Sequence, residues 1–148
     1  MAVSRSGDWW QGENDDDLAV YVRSFRAGGH DVAETRGLVC PACGASAFGV
    51  MVDDDEGVAV AGCLSCGAQV PVGDSADHIA DTDVDLGECA CPCGNESFTA
   101  VIGYAIADDG EVRWLSLGLR CQIDRILGVY ADWKIDYAPT AHLILPPA

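Results

Sequence analysis

Apolar and polar positions along this chain change period several times, and each change marks an element. After Asp15-Asp16-Asp17, apolar residues fall at Leu18, Tyr21, Val22 and Phe25. That i, i+3, i+4, i+7 stripe predicts a short amphipathic helix, with acids at its start, Arg23 and Arg26 at its end and Gly28-Gly29 as its stop. Phe48 to Val52 and Gly57 to Ala61 read as two strands around the turn Asp53-Asp54-Asp55-Glu56-Gly57, expected to be a solvated acidic tip. Residues 73–88 hold Asp74, Asp77, Asp81, Asp83, Asp85 and Glu88 with little periodicity and read as a flexible acidic linker. A longer hairpin follows, Phe98 to Ile106 and Glu111 to Leu119, joined by Ala107-Asp108-Asp109-Gly110, where Asp-Gly is a hairpin-turn signal. From Ile123 to Tyr137 the chain is dense in β-branched and aromatic residues. Gly128 to Tyr137 predicts a further strand, with Trp133 inside and Lys134 outside. Trp9 and Trp10 are expected to pack on the ribbon, the alternative being that they stay open to a partner, and residues 139–148 form a tail that is either a docking strand or a frayed end.

Cysteines punctuate this pattern. Cys40-Pro41-Ala42-Cys43-Gly44 and Cys63-Leu64-Ser65-Cys66-Gly67 flank the first hairpin. Two tight turns that each present a pair of thiolates meet zinc's demand for four soft ligands in a tetrahedron. The glycine after each pair tolerates the positive φ that turns backbone N–H groups toward sulfur. The second half repeats the first: Cys93-Gly94 precedes Phe98 by the same step as Cys43-Gly44 precedes Phe48, and each hairpin returns to a cysteine, Cys63 or Cys121. Asp124 then stands where Cys66 stood, and the near side carries Cys89, Cys91 and Cys93. Three readings stay open for this second site. Cys89, Cys91, Cys93 and Cys121 bind zinc together, or two or three of them bind it with Asp124 as an oxygen ligand, or the site has lost its metal. Alternation along an extended strand would place Cys91 and Cys93 on one face.

The predicted fold is therefore mainly β: tandem zinc ribbons, β-hairpins with cysteine knuckles, preceded by a short N-terminal helix. Its segments are 1–37 (helical), 38–72 (first ribbon), 73–88 (acidic linker), 89–138 (second ribbon with extra strands) and 139–148 (tail). One or two zinc ions per chain are expected. Ribbons this small bury little apolar area, so metal binding should supply much of the folding energy, and a chelator should unfold at least residues 38–71.

The knuckles at Cys40, Cys43, Cys63 and Cys66 resemble those of rubredoxin and the wider zinc-ribbon group, over roughly thirty of 148 residues. The rubredoxin resemblance implies a single iron passing single electrons. Rubredoxins usually carry Cys-Pro-x-Cys-Gly in the far knuckle. Here the proline lies in the near knuckle, a departure that favours zinc.

Charge narrows the function classes. The chain has 24 acidic and 8 basic residues, a formal net charge of −16. Two four-thiolate zinc sites would each add about −2. Gripping phosphates requires clustered Lys and Arg, so ordinary nucleic-acid binding is disfavoured. The acidity fits solubility, a salt-adapted proteome or a basic protein partner. The start, Met1 to Gly7, lacks a signal-peptide apolar region and no apolar stretch approaches a membrane span, which predicts a cytoplasmic, non-membrane protein. In a reducing cytosol eight cysteines point to metal rather than disulfides.

Catalysis finds little footing. His30, His78 and His142 stand in separate segments without a nucleophile motif. An open zinc site of Cys91, Cys93 and Cys121 with Asp124 as base would want the H-x-E of zinc deaminases, which is absent. Asp81, Asp83 and Asp85 lack the glycine and glutamate positions of a calcium loop. The function expected is a non-enzymatic, zinc-binding acidic protein-interaction module, of the kind that bacterial immunity proteins and antitoxins represent by composition. Its alternatives are a nucleic-acid-associated ribbon regulator and an electron carrier.

Overall fold

A computed structural model describes residues 4–6, 9–25, 29–78, 84–135 and 139–144. Arg26, Gly28, Asp81, Asp83, Asp136, Tyr137 and the end of the tail from Leu145 lie outside them. Among the described residues the architecture is mainly β, with one α-helix near the N-terminus. In chain order the elements are β1 (Ser4–Ser6), β2 (Trp9–Gln11), α1 (Asp15–Phe25), β3 (Glu34–Gly37), β4 (Phe48–Asp53), β5 (Val58–Cys63) and β6 (Gln69–Pro71). They continue with β7 (Gly87–Glu88), β8 (Phe98–Ile106), β9 (Val112–Cys121) and β10 (Ile126–Lys134). All pair into one antiparallel sheet of order β1-β2-β10-β9-β8-β4-β5-β6, with β3 also on β8 and β7 also on β4.

The internal repeat is visible in the register. Phe48 pairs with Cys63 in the first hairpin and Phe98 with Cys121 in the second, and the hairpins meet where Phe48 lies opposite Phe98. Equivalent residues facing each other across an antiparallel pair define an approximate two-fold. The strand leading into each near knuckle pairs with the other hairpin: β3, which precedes Cys40, lies on β8, and β7, which precedes Cys91, lies on β4. The two ribbons are thus interlocked. One buried apolar core runs through both, from Phe48, Val50 and Ala61 to Phe98, Tyr104, Leu115 and Leu117.

The helix forms where its stripe predicts. The Asp17 N–H donates to Asn14 Oδ1 at 2.9 Å and the Glu13 N–H donates to Asp17 Oδ2 at 2.9 Å, so two donors at the helix entry are satisfied reciprocally. Leu18 and Val22 are fully buried against Val101 and Leu127 on the sheet face opposite the main core. The helix approaches closely because the strands beneath it are bare. A Cβ on Gly118 would stand 2.3 Å, and one on Gly103 2.6 Å, from Val22.

Several expectations about the connecting segments change. The acidic tip is more than solvated. Asp53 Oδ2 accepts the Asp85 N–H at 2.7 Å, and Asp54 Oδ1 accepts the Asp132 N–H of β10 at 3.0 Å. The start of the acidic linker is held in place rather than slack. The buried Ser75 Oγ accepts the Ala59 N–H at 2.9 Å, and the buried Asp74 accepts the Trp133 indole N–H at 3.1 Å. Trp133 is inside and Lys134 outside, as the alternation predicts. Trp10 sits in β2 but is 41% exposed, so the expected packing is incomplete. The tail docks over 139–144: Glu111 accepts the N–H groups of Thr140 and Ala141, and the Thr140 hydroxyl donates to Val112 O at 3.0 Å. Among the described residues no helix is long and apolar enough to cross a membrane.

Candidate metal centres

Each hairpin begins beside one turn and ends in another, and these four turns carry the donors. In the first ribbon the Gly44 N–H returns to Cys40 O at 2.8 Å and the Gly67 N–H to Cys63 O at 2.9 Å, with φ of +81° and +79° at the two glycines. The turns face each other. Cys40 Sγ is 3.7 Å from Cys66 Sγ, Cys43 Sγ is 3.5 Å from Cys63 Sγ, and all four sulfurs lie within 4.8 Å of one another. A disulfide would need about 2.05 Å. A tetrahedron with metal–sulfur bonds of about 2.3 Å has edges of about 3.8 Å, so the spacing fits a single zinc-sized ion. The first cysteine of each turn is buried and the second exposed.

Without a metal these thiols compete for their protons. The amide of Cys66 pointing at Cys63 outweighs burial and draws its pKa down to about 6. The Ala45 amide favours the Cys43 thiolate, but hydrogen bonds to Cys63 and Cys66 prevail and push it up to about 12. Four thiolates in this space require a cation to hold them.

The second centre brings together Cys91, Cys93, Cys121 and Asp124, one donor atom from each within 4.8 Å of the others. Cys93 Sγ is 3.7 Å from Cys121 Sγ, and both Asp124 carboxylate oxygens are 3.3 Å from Cys91 Sγ. Zinc–oxygen bonds are shorter than zinc–sulfur bonds, so the shorter edges at Asp124 suit the mixed donor set. Burial works against the Asp124 carboxylate, but contacts from Cys121 and the Ile126 amide outweigh it and hold its pKa below the ordinary aspartate range.

Cys89 is not part of this cluster. It follows β7, its N–H donates to Val50 O at 2.8 Å, and its side chain is buried in the core, where loss of solvent pushes the thiol up to about 11. Cys91 and Cys93 converge for a reason other than strand alternation. They lie in a turn closed by the Gly94 N–H to Cys91 O bond of 2.8 Å, one residue tighter than the turn at Cys40.

Two features of the second centre escape a motif search. Arg125 occupies the place of Gly67, with φ of +66° and its N–H on Cys121 O at 3.1 Å. The knuckle conformation therefore persists although both its final cysteine and its glycine are replaced. Asn95 Nδ2 donates to Cys121 Sγ at 3.1 Å and to Ser97 O at 2.7 Å. The only sequence signal for Asn95 was its place after Gly94, where the first ribbon has Ala45. Both centres thus fit a metal ion by donor chemistry and spacing. No protein-family model, curated protein or solved structure matches the chain.

Proposed function

We propose that this chain is a non-enzymatic, zinc-stabilised acidic module that binds a basic protein partner, in the manner of an inhibitor or an immunity or antitoxin-type protein. The observation that carries it is that each centre is complete. Cys40, Cys43, Cys63 and Cys66 would hold one ion and Cys91, Cys93, Cys121 and Asp124 another, with four protein donors apiece at tetrahedral spacing. A closed site crosslinks its two turns and leaves no coordination position for substrate. Zinc here would supply folding energy, and the net charge of −16 would supply steering toward a cationic surface.

Elemental analysis with native mass spectrometry on chain purified without added metal tests the first half. Two zinc ions per chain are expected. For the second half, affinity capture from native lysate should return basic proteins that elute with rising salt. Acidic partners, or complexes indifferent to salt, would count against it. The electron-carrier reading draws on the four-thiolate first centre, a donor set that also suits iron, and red colour in the purified protein would favour it. The nucleic-acid reading requires binding to labelled DNA or RNA at low salt, which the charge disfavours.

A further inference from the structure

The approximate two-fold permits a face-by-face comparison of the hairpins. One step outward from the equivalent Phe–Cys pairs, the first hairpin has Gly49 opposite Gly62 and the second has Thr99 opposite Arg120. On the second hairpin this face is covered by the chain itself. Arg120 Nε donates to Gly12 O at 2.6 Å and its NH2 group to Glu13 O at 2.7 Å, and α1 lies beyond on Gly103 and Gly118. Among the described residues the first hairpin has no such cover. Its two glycines leave an open groove of about 330 Å³, bordered by Leu64, Gln69, Glu88 and Glu96.

Among the described residues nothing accounts for glycine at these two positions. Neither has a positive φ. A Cβ on Gly49 would meet only Leu64 Cδ2 at 3.7 Å and Glu96 O at 3.9 Å, and one on Gly62 would approach only the end of the Gln69 side chain, at 3.1 Å, inside 3.4 Å. Glycine inside a strand is destabilising relative to alanine and often marks the close approach of another group. Here no such group is found among the described residues, and Leu64 at the rim remains 56% exposed.

The chemistry of the border selects the occupant. Glu88 and Glu96 are exposed and, among the described residues, make no ion pair, and the lining contains no Lys or Arg. We infer that the Gly49–Gly62 groove receives an arginine or lysine side chain of a partner. Its aliphatic stem lies on the glycine floor against Leu64, and its cationic head meets Glu88 and Glu96. Long basic side chains divide in this way between apolar and charged surroundings. An apolar side chain would leave two carboxylates without a partner, and an anion would meet the acidic field. This inference locates the contact for the basic partner proposed above and rests on that reading.

The test uses the full zinc-loaded chain, isotope-labelled for NMR and titrated at low salt with an Arg–Gly repeat peptide and its norleucine–Gly counterpart. Saturable shifts are expected at the amides of Gly49, Gly62, Leu64 and Glu96, with the norleucine peptide silent. Gly49→Val, whose Cβ would meet nothing nearer than Leu64 Cδ2 at 3.7 Å, occupies the floor and should weaken the arginine peptide about tenfold, a loss of about 1.4 kcal/mol. Glu96→Gln, which leaves the backbone untouched, should weaken it in the same direction and serves as the second variant if Gly49→Val perturbs the second hairpin. Binding that maps to the acidic tips and ignores both variants would overturn the groove while leaving the basic-partner reading intact. Equal binding of the norleucine peptide would overturn the cationic occupant. No salt-sensitive binding anywhere would overturn the groove and the basic-partner reading together.

Discussion

Because β3 lies on β8 and β7 on β4, losing the first metal centre should open both hairpins, not only residues 38–72. Cys66→Ser is a clean perturbation, since Cys66 is exposed and its loss removes no core volume. At free zinc about a thousandfold above its dissociation constant, a bound ion stabilises by about 4.1 kcal/mol. A domain's whole net stability is typically about 5–15 kcal/mol. Removing one of four thiolates therefore takes away a large share of it. The interlocked strands and the core shared by Phe48 and Phe98 leave no path for the second hairpin to keep that stability alone. Native-state hydrogen exchange reads this directly. The slowest amides of β4, β5, β8 and β9 should all lose protection by about a thousandfold, since each 1.4 kcal/mol is tenfold. If residues 38–72 lose protection while β8 and β9 keep theirs, the reasoning fails and the ribbons are energetically independent.

Further outcomes follow from particular contacts. Gly118→Ala places a Cβ 2.3 Å from Val22 and should lower stability by about 1–3 kcal/mol in thermal or chemical denaturation, with Val22→Ala restoring part of the loss in the double variant. Arg125→Gly relieves a left-handed backbone and should stabilise the zinc-bound chain by about 1 kcal/mol, measured by denaturant midpoint. The Thr140 amide on Glu111, followed against burial by the Ala141 amide, holds the Glu111 carboxyl below its ordinary pKa. A lowered carboxyl stabilises above the unfolded value and loses that contribution as pH falls through the folded one. The Thr140 and Ala141 amide signals should therefore report undocking of 139–144 only in acid, below the ordinary glutamate range. Glu111→Gln, which keeps an acceptor oxygen without the charge, should weaken the docking and remove that pH dependence.

Where local chemistry is sufficient, the residues alone tell the outcome. Cys40, Cys43, Cys63 and Cys66 are legible as one centre because each pair and its glycine close a turn among neighbours in sequence, and a hairpin between such turns must bring them together. The helix stripe, the Asp-Gly hairpin and the 43–48 and 93–98 repeat are local or periodic and are legible for the same reason.

The second centre is different, since its motif is broken at three places. Whether Cys89 or Cys91 turns inward depends on β7 pairing with β4, which anchors Cys89 through Val50 and starts the turn at Cys91. Asp124 joins the cluster from a turn in which Arg125 holds a left-handed backbone, a conformation its own residue type does not announce. The interlocking of the ribbons, the docking of the tail on Glu111 and the cover that α1 gives to only one hairpin rest on pairings between residues far apart in the chain. Such pairings are chosen by the competition of whole surfaces for burial, a quantity that no short window of sequence contains.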